Sequence, residues 1–148
     1  MRCFRFASRG RNNVQVDVAK DFSEPLSPTV VQRIGALKPG HYARIGAALR
    51  HVVAQLAKRP ARHRLLLVLT DGKPNDIDHY EGRFRIEDTR RAIQEARRGG
   101  ACVFGITIDA RAQAYFPVLF GRGGFVIVSD PSRLPASMPL LLKHIVAG

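Results

Sequence analysis

The stretch LLLVLTDGKPNDIDHYEG, residues 65–82, carries an almost wholly aliphatic run into a carboxylate, Asp71, and follows it with Asp76 and Asp78. Carboxylate oxygens suit a hard divalent cation. Magnesium keeps several of its waters, so a few side-chain oxygens are enough to hold it. Asp71 is therefore a candidate metal ligand. Asp76 and Asp78 follow too closely for spacing alone to make them converge on the same ion. The pattern D-x-x-x-N-D-x-D also fails the calcium-loop rule of ligands at alternating positions with glycine sixth. A second reading is that Asp71 caps its own turn, since Asp-Gly is a turn dipeptide and aspartate bonds nearby backbone groups. The residues alone leave both readings open.

Other chemistry finds less support. There is no G-x-S-x-G elbow, no P-loop and no H-E-x-x-H pair. His41, His51, His63, His79 and His144 are scattered and read as surface residues. The GRGG run at 121–124 precedes a strand instead of opening a helix, so it reads as a turn and not as a phosphate cradle. A metal-assisted hydrolytic or phosphoryl-transfer site built on Asp71 and Asp109 would need a base within hydrogen-bond reach, and the sequence names none.

Three continuous apolar runs, residues 65–70, 103–108 and 125–128, read as strands covered on both faces, as in a parallel sheet. Residues 86–98, IEDTRRAIQEARR, form an amphipathic helix whose acids open it and whose arginines close it, ending at Gly99-Gly100. Residues 43–56 predict another helix, stopped by Pro60, with Ile45, Leu49, Val52, Val53 and Leu56 inward. Residues 2–7 and 14–19 predict two strands joined by the turn SRGRNN. Short helices fit residues 28–37 and 139–146. The order β–β–α–α–β–α–β–β–α is that of an open α/β sheet. Such sheets place ligands outside the carboxyl ends of their strands, where Asp71, Asp109 and Asp130 all fall.

The chain has 148 residues, enough for one domain with a real core. No apolar run reaches the roughly 18 residues of a membrane span, and the basic N-terminus has no apolar segment of a secretory signal. Cys3 and Cys102 read as free, buried thiols of a reducing compartment. The formal charge of +12 asks for an acidic partner. Its arginines are spread over helix faces without interleaved aromatics. That favours a solvated basic face or docking to an acidic protein over nucleic acid.

The segments LLLVLTDGKPNDIDHYEGRFRIEDTRRAIQEA and VFGITIDARAQAYFPVLFGRGGFVIV closely resemble the von Willebrand factor A domain of the NorD/CbbO-type activation proteins. FASRGRNNV, KDFSEP and KPGHYARIGAALRH are similar to the same family. The resemblance implies a doubly wound, mostly parallel Rossmann-type sheet in the order 3-2-1-4-5-6, with a magnesium-dependent adhesion site at its upper rim. It also implies a cytoplasmic, non-catalytic adaptor. Such an adaptor works with a MoxR-type hexameric AAA+ ATPase to activate nitric oxide reductase or RuBisCO.

Carried over residue by residue, the family's aspartate after its fourth strand is Asp71, and its threonine position falls on Ala43, which has no oxygen to offer. The family's Asp-x-Ser-x-Ser loop has no match, because Met1 falls where the second family strand begins. The expectation is thus a single, incomplete domain over residues 1–148 that lacks the family's first strand and first helix and binds magnesium weakly or not at all. The flanking strands would then pair directly, borrow a strand from a partner chain, or fold poorly. A shortened frame, a degenerate copy or a split gene would each produce such a chain.

Overall fold

A computed structural model describes residues 1–10, 12–38, 44–72 and 82–147. Strands β1 (Cys3–Ser8) and β2 (Val14–Lys20) pair antiparallel around a turn in which Gly10 takes a positive φ of 84°. Helices α1 (Pro28–Gly35) and α2 (Ile45–Ala57) follow. Strand β3 (Arg64–Thr70), helix α3 (Gly82–Arg98) and strand β4 (Ala101–Thr107) form the expected parallel βαβ unit, in register from Arg64 opposite Ala101 to Thr70 opposite Thr107. A 3-10 turn, Ala110–Ala114, and the short helix α4 (Phe116–Phe120) lead to β5 (Phe125–Ile127), which pairs parallel with the second half of β4. Helix α5 (Leu134–Ala147) closes the described part. The strands fall into two groups, β1-β2 and β3-β4-β5.

The core lies on one face of the larger group. Ile45 and Leu49 of α2, Ala92, Ile93 and Ala96 of α3, and the cluster Tyr115, Phe116, Leu119 and Phe120 meet Ala101 and Val103 there. Side chains alternate along a strand, so the neighbours Cys102 and Phe104 face the other way. Ile145 of α5 shares a cavity with them, which puts helices on both faces of the sheet. Phe116 is the hub of the aromatic packing, with ring centroids 5.2 Å from Tyr115, 4.9 Å from Phe120 and 5.5 Å from Phe125. Gly105 is required by this packing. A Cβ on it would stand 2.6 Å from the Phe120 ring, inside any real contact.

Helix α2 is clasped to α3. Gly46 meets Asp88 at a contact that leaves no room for a side chain. One turn on, Arg50 donates to Asp88 at 2.8 Å and to Glu95 at 2.7 Å. The hydrogen bond to Glu95 is the largest cause of the raised Arg50 pKa, and the same bond lowers that of Glu95. These groups are more than one-third exposed, so the clasp orients the helices and contributes under about 1 kcal/mol.

Several elements differ from the sequence expectation. Helix α3 starts at Gly82 and not at Ile86, which moves its acids out of the first turn. Glu87 instead pairs with Arg90 and Arg91 on the helix surface. The 3-10 turn and α4 were not expected, because five-residue helices are too short to show a period. Helix α5 begins five residues before Pro139 and carries that proline inside it. Proline has no N–H, so one turn of α5 lacks its backbone bond. Cys102 is exposed, not buried, and Cys3 is only half-buried; both are free. Above all, β3 is not covered on both faces as its aliphatic run predicts. Val68 is 5% exposed but Leu69 is 58% exposed, whereas six of the seven β4 residues are buried. The difference is position: β4 is paired on both sides and β3 on one.

Gly105→Ala is expected to destabilise the chain by about 1–3 kcal/mol, the usual cost of forcing an extra group into a packed core. Adding Phe120→Leu should recover part of that loss, because the two sites share one contact. Urea unfolding of the single and double variants measures both effects.

Candidate functional site

Each described strand of the larger group ends in a hydroxyl or an acid or reaches one within three residues. Thr70 closes β3, and its Oγ1 donates to the Gly72 carbonyl at 3.0 Å. Asp71 follows it, exposed, as the residue read from sequence as a metal ligand. Thr107 closes β4 and is 1% exposed; its Oγ1 accepts the Asp109 N–H at 3.1 Å. That bond folds Asp109 back over the strand end. Its carboxylate then accepts the Arg111 N–H at 3.0 Å and the Arg111 guanidinium at 3.1 Å. The Asp109 side chain is only 7% exposed. Tyr115 lies buried against it, and its phenol is pushed up to about 12, first by burial and then by the Asp109 charge. After β5, Asp130 accepts the Ser132 N–H at 3.0 Å and the Ser132 hydroxyl at 2.6 Å.

Asp109 and Asp130 are therefore caps of their own turns. Asp71 stands one residue past the end of β3. Asp76, Asp78 and Ala43 lie outside the described residues. The same is true of His41 and His79. No three His, Cys, Asp or Glu side chains converge among the described residues. As a test of the cation expectation this is a poor fit. One exposed carboxylate is a fraction of the oxygen set that magnesium takes, and the nearest acids along the sheet end are committed to backbone and arginine.

Two hydroxyl groups escaped the sequence reading. Ser8 ends β1, is 3% exposed, and accepts the Arg44 N–H at 3.1 Å. It thereby holds the start of α2 at this rim. Thr107 does the equivalent work for the loop after β4. The available signal was a hydroxyl residue closing an apolar run.

The opposite rim is basic. Register puts Arg64 beside Ala101, so Arg62, Arg64, Arg97 and Arg98 belong to one end of the sheet. Arg122 joins them, since it lines one cavity with Arg97 and Cys102. Arg97 also spans that end, donating to the carbonyls of Val103 at 3.1 Å and Phe120 at 2.7 Å. Arginines that look dispersed along the sequence are thus gathered by topology, which corrects the reading of an unclustered charge.

The profile of the von Willebrand factor type A domain matches residues 6–132, from β1 through the turn after β5. This chain belongs to the von Willebrand factor type A family. It is 56% identical over 138 residues to Protein NorD of Brucella abortus, a match covering 93% of the chain and 22% of that relative. It is 45% identical over 130 residues to Protein NorD of Stutzerimonas stutzeri, covering 88% of the chain and 21% of the relative. The chain therefore spans about a fifth of the length of these relatives. The α/β fold with its parallel three-strand sheet agrees with the family. Among the described residues, no helix is long and apolar enough to cross a membrane.

In an alkaline absorbance titration Tyr115 should ionise at about 12, above the ordinary value of 10.0. Because its folded pKa is raised, its contribution to stability is full below pH 10 and is lost as pH climbs through about 12. Asp109→Asn should lower the midpoint yet leave it above 10.0, since burial is the larger cause. An unchanged midpoint would show that the carboxylate does not act on the phenol.

Proposed function

We infer that this chain is the von Willebrand factor A module of a NorD-type accessory protein and serves as a non-catalytic docking adaptor. In this reading it works in the cytoplasm with a MoxR-type AAA+ ATPase. Together they activate a target enzyme, nitric oxide reductase or RuBisCO. The supporting observation is the 56% identity to Protein NorD across 93% of the chain. The rim chemistry points the same way. Asp109 and Asp130 are spent on local turns, and His63 precedes β3, at the other end of the strand from Asp71. If the family's magnesium is used, Asp71 is its ligand in this chain, and the remaining ligands come from outside the described residues.

The basic rim supplies the docking chemistry. Arg62, Arg64, Arg98 and Arg122 present a positive edge suited to an acidic protein surface, and such charges act mainly on association rate and orientation. Association should therefore weaken with salt. The purified chain is expected to co-elute with a MoxR-type ATPase. Arg62→Glu combined with Arg98→Glu should weaken that binding at least about tenfold, read by calorimetry, a loss equal to about 1.4 kcal/mol. Absence of co-elution at low salt would overturn the adaptor reading.

The same gathered arginines favour one other reading, binding of nucleic acid through phosphates. That predicts retention on duplex DNA of any sequence, with log affinity falling linearly against log salt. Loss of retention near physiological salt would exclude it.

A further inference from the structure

A cavity of about 360 Å³ opens at the basic end of the sheet, lined by Cys102 and Phe104 of β4, Ile145 of α5, and Arg97, Arg122 and Gly123. None of its described lining residues is acidic. The two arginines are placed differently. Arg97 is held, because its Nη2 donates to the carbonyls of Val103 and Phe120, while Nε and Nη1 make no bond among the described residues. A planar guanidinium fixed at one corner loses little freedom when its other N–H groups meet an oxyanion. Arg122 is exposed at the tip of a turn closed by the Gly124 N–H on the Gly121 carbonyl at 3.3 Å. Gly121 and Gly123 flank it, each with a φ of 74°, so the turn is built to carry one arginine between two glycines. Phe104 and Ile145 make the other wall apolar.

We propose, resting on the docking-adaptor reading, that this cavity captures the free C-terminal carboxylate of a partner polypeptide whose last side chain is apolar. Two guanidinium groups with no acid beside them call for an anion, and a carboxylate matches the planar fork of Arg97. Inorganic phosphate would match the charge, but it brings no apolar surface, so Phe104 and Ile145 would stay wetted. An aspartate inside a partner's chain has the same shortcoming. A chain end carries its carboxylate and its side chain on one carbon, so it uses the basic and the apolar wall at once. A volume of about 360 Å³ is at the low end for small-molecule sites, which leaves room for the end of a chain and not for a folded surface. Capture of a terminal carboxylate is a recognised mode of peptide docking. Here it would give the broad positive edge one point of chemical selection.

The probe is a short acetylated peptide, Gly-Ser-Gly-Ser-Leu, with a free carboxylate, and its control is the same peptide amidated. Cys102 is an exposed thiol that lines the cavity, so it reports occupancy through its rate of alkylation by iodoacetamide, read by mass spectrometry. Cys3 lies outside the cavity and serves as the internal reference. At saturation the free peptide should slow alkylation of Cys102 roughly tenfold and leave Cys3 unchanged, and the amide should do neither. Arg122→Gln should raise the peptide concentration for half-protection by roughly tenfold, the loss of one charge-assisted bond. Arg97→Gln should do the same. If that variant does not fold, since Arg97 also ties two carbonyls, Arg122→Gln and the amide still decide. No protection, equal protection by the amide or by acetate, equal slowing at Cys3, or an unchanged response in Arg122→Gln would each overturn the proposal. Co-elution with the ATPase that persists without protection of Cys102 would strike the cavity and spare the adaptor reading.

Discussion

Strand β4 is the only described strand with hydrogen-bonded neighbours on both edges, and the larger body is organised by it. β3 and β5 hang on its two sides, α3 and α4 pack against it, and its Gly105 yields the space that Phe120 fills. A parallel strand in this position must be apolar on both faces, and β4 is. The sequence of β3 is just as aliphatic, yet its burial is that of an edge. A row of leucines suited to the interior stands next to unpaired backbone groups.

The rim above the strands shows how a small set of polar contacts can fix the turns that follow them. Thr70 and Thr107 each bind backbone just past their strand end, Ser8 binds the backbone that opens α2, and Asp109 and Asp130 each bind backbone two residues on. These bonds satisfy groups that would otherwise be stranded at the ends of the sheet. They also engage the carboxylates of Asp109 and Asp130. Asp71, one residue past β3, is exposed. The arginines that topology gathers lie at the other end of the sheet.

Much of this was legible beforehand. The continuous apolar runs located β3, β4 and β5, and the 3.6-residue period located α2 and α3, because burial and periodicity are local properties. Family membership followed from long stretches such as LLLVLTDGKPND. Pairing was less legible. Nothing in residues 65–70 says that β3 has one neighbour and not two, since composition reports the environment a strand suits and not the one it obtains. Charge clustering was also hidden. Arg62, Arg98 and Arg122 are far apart in the chain and are assembled only by parallel register. The short helix α4 was missed for want of a full period, and Cys102 because a strand's first residues need not share the burial of its middle.

The serine cap that ties β1 to the residue before α2 has a mechanical meaning. With the sheet divided, α2 is the element that touches both β1-β2 and the body built on β4. The Ser8–Arg44 bond thus tethers the hairpin to the helix that also packs on α3. Through that tether, one helix sets the place of the hairpin and of α3 together.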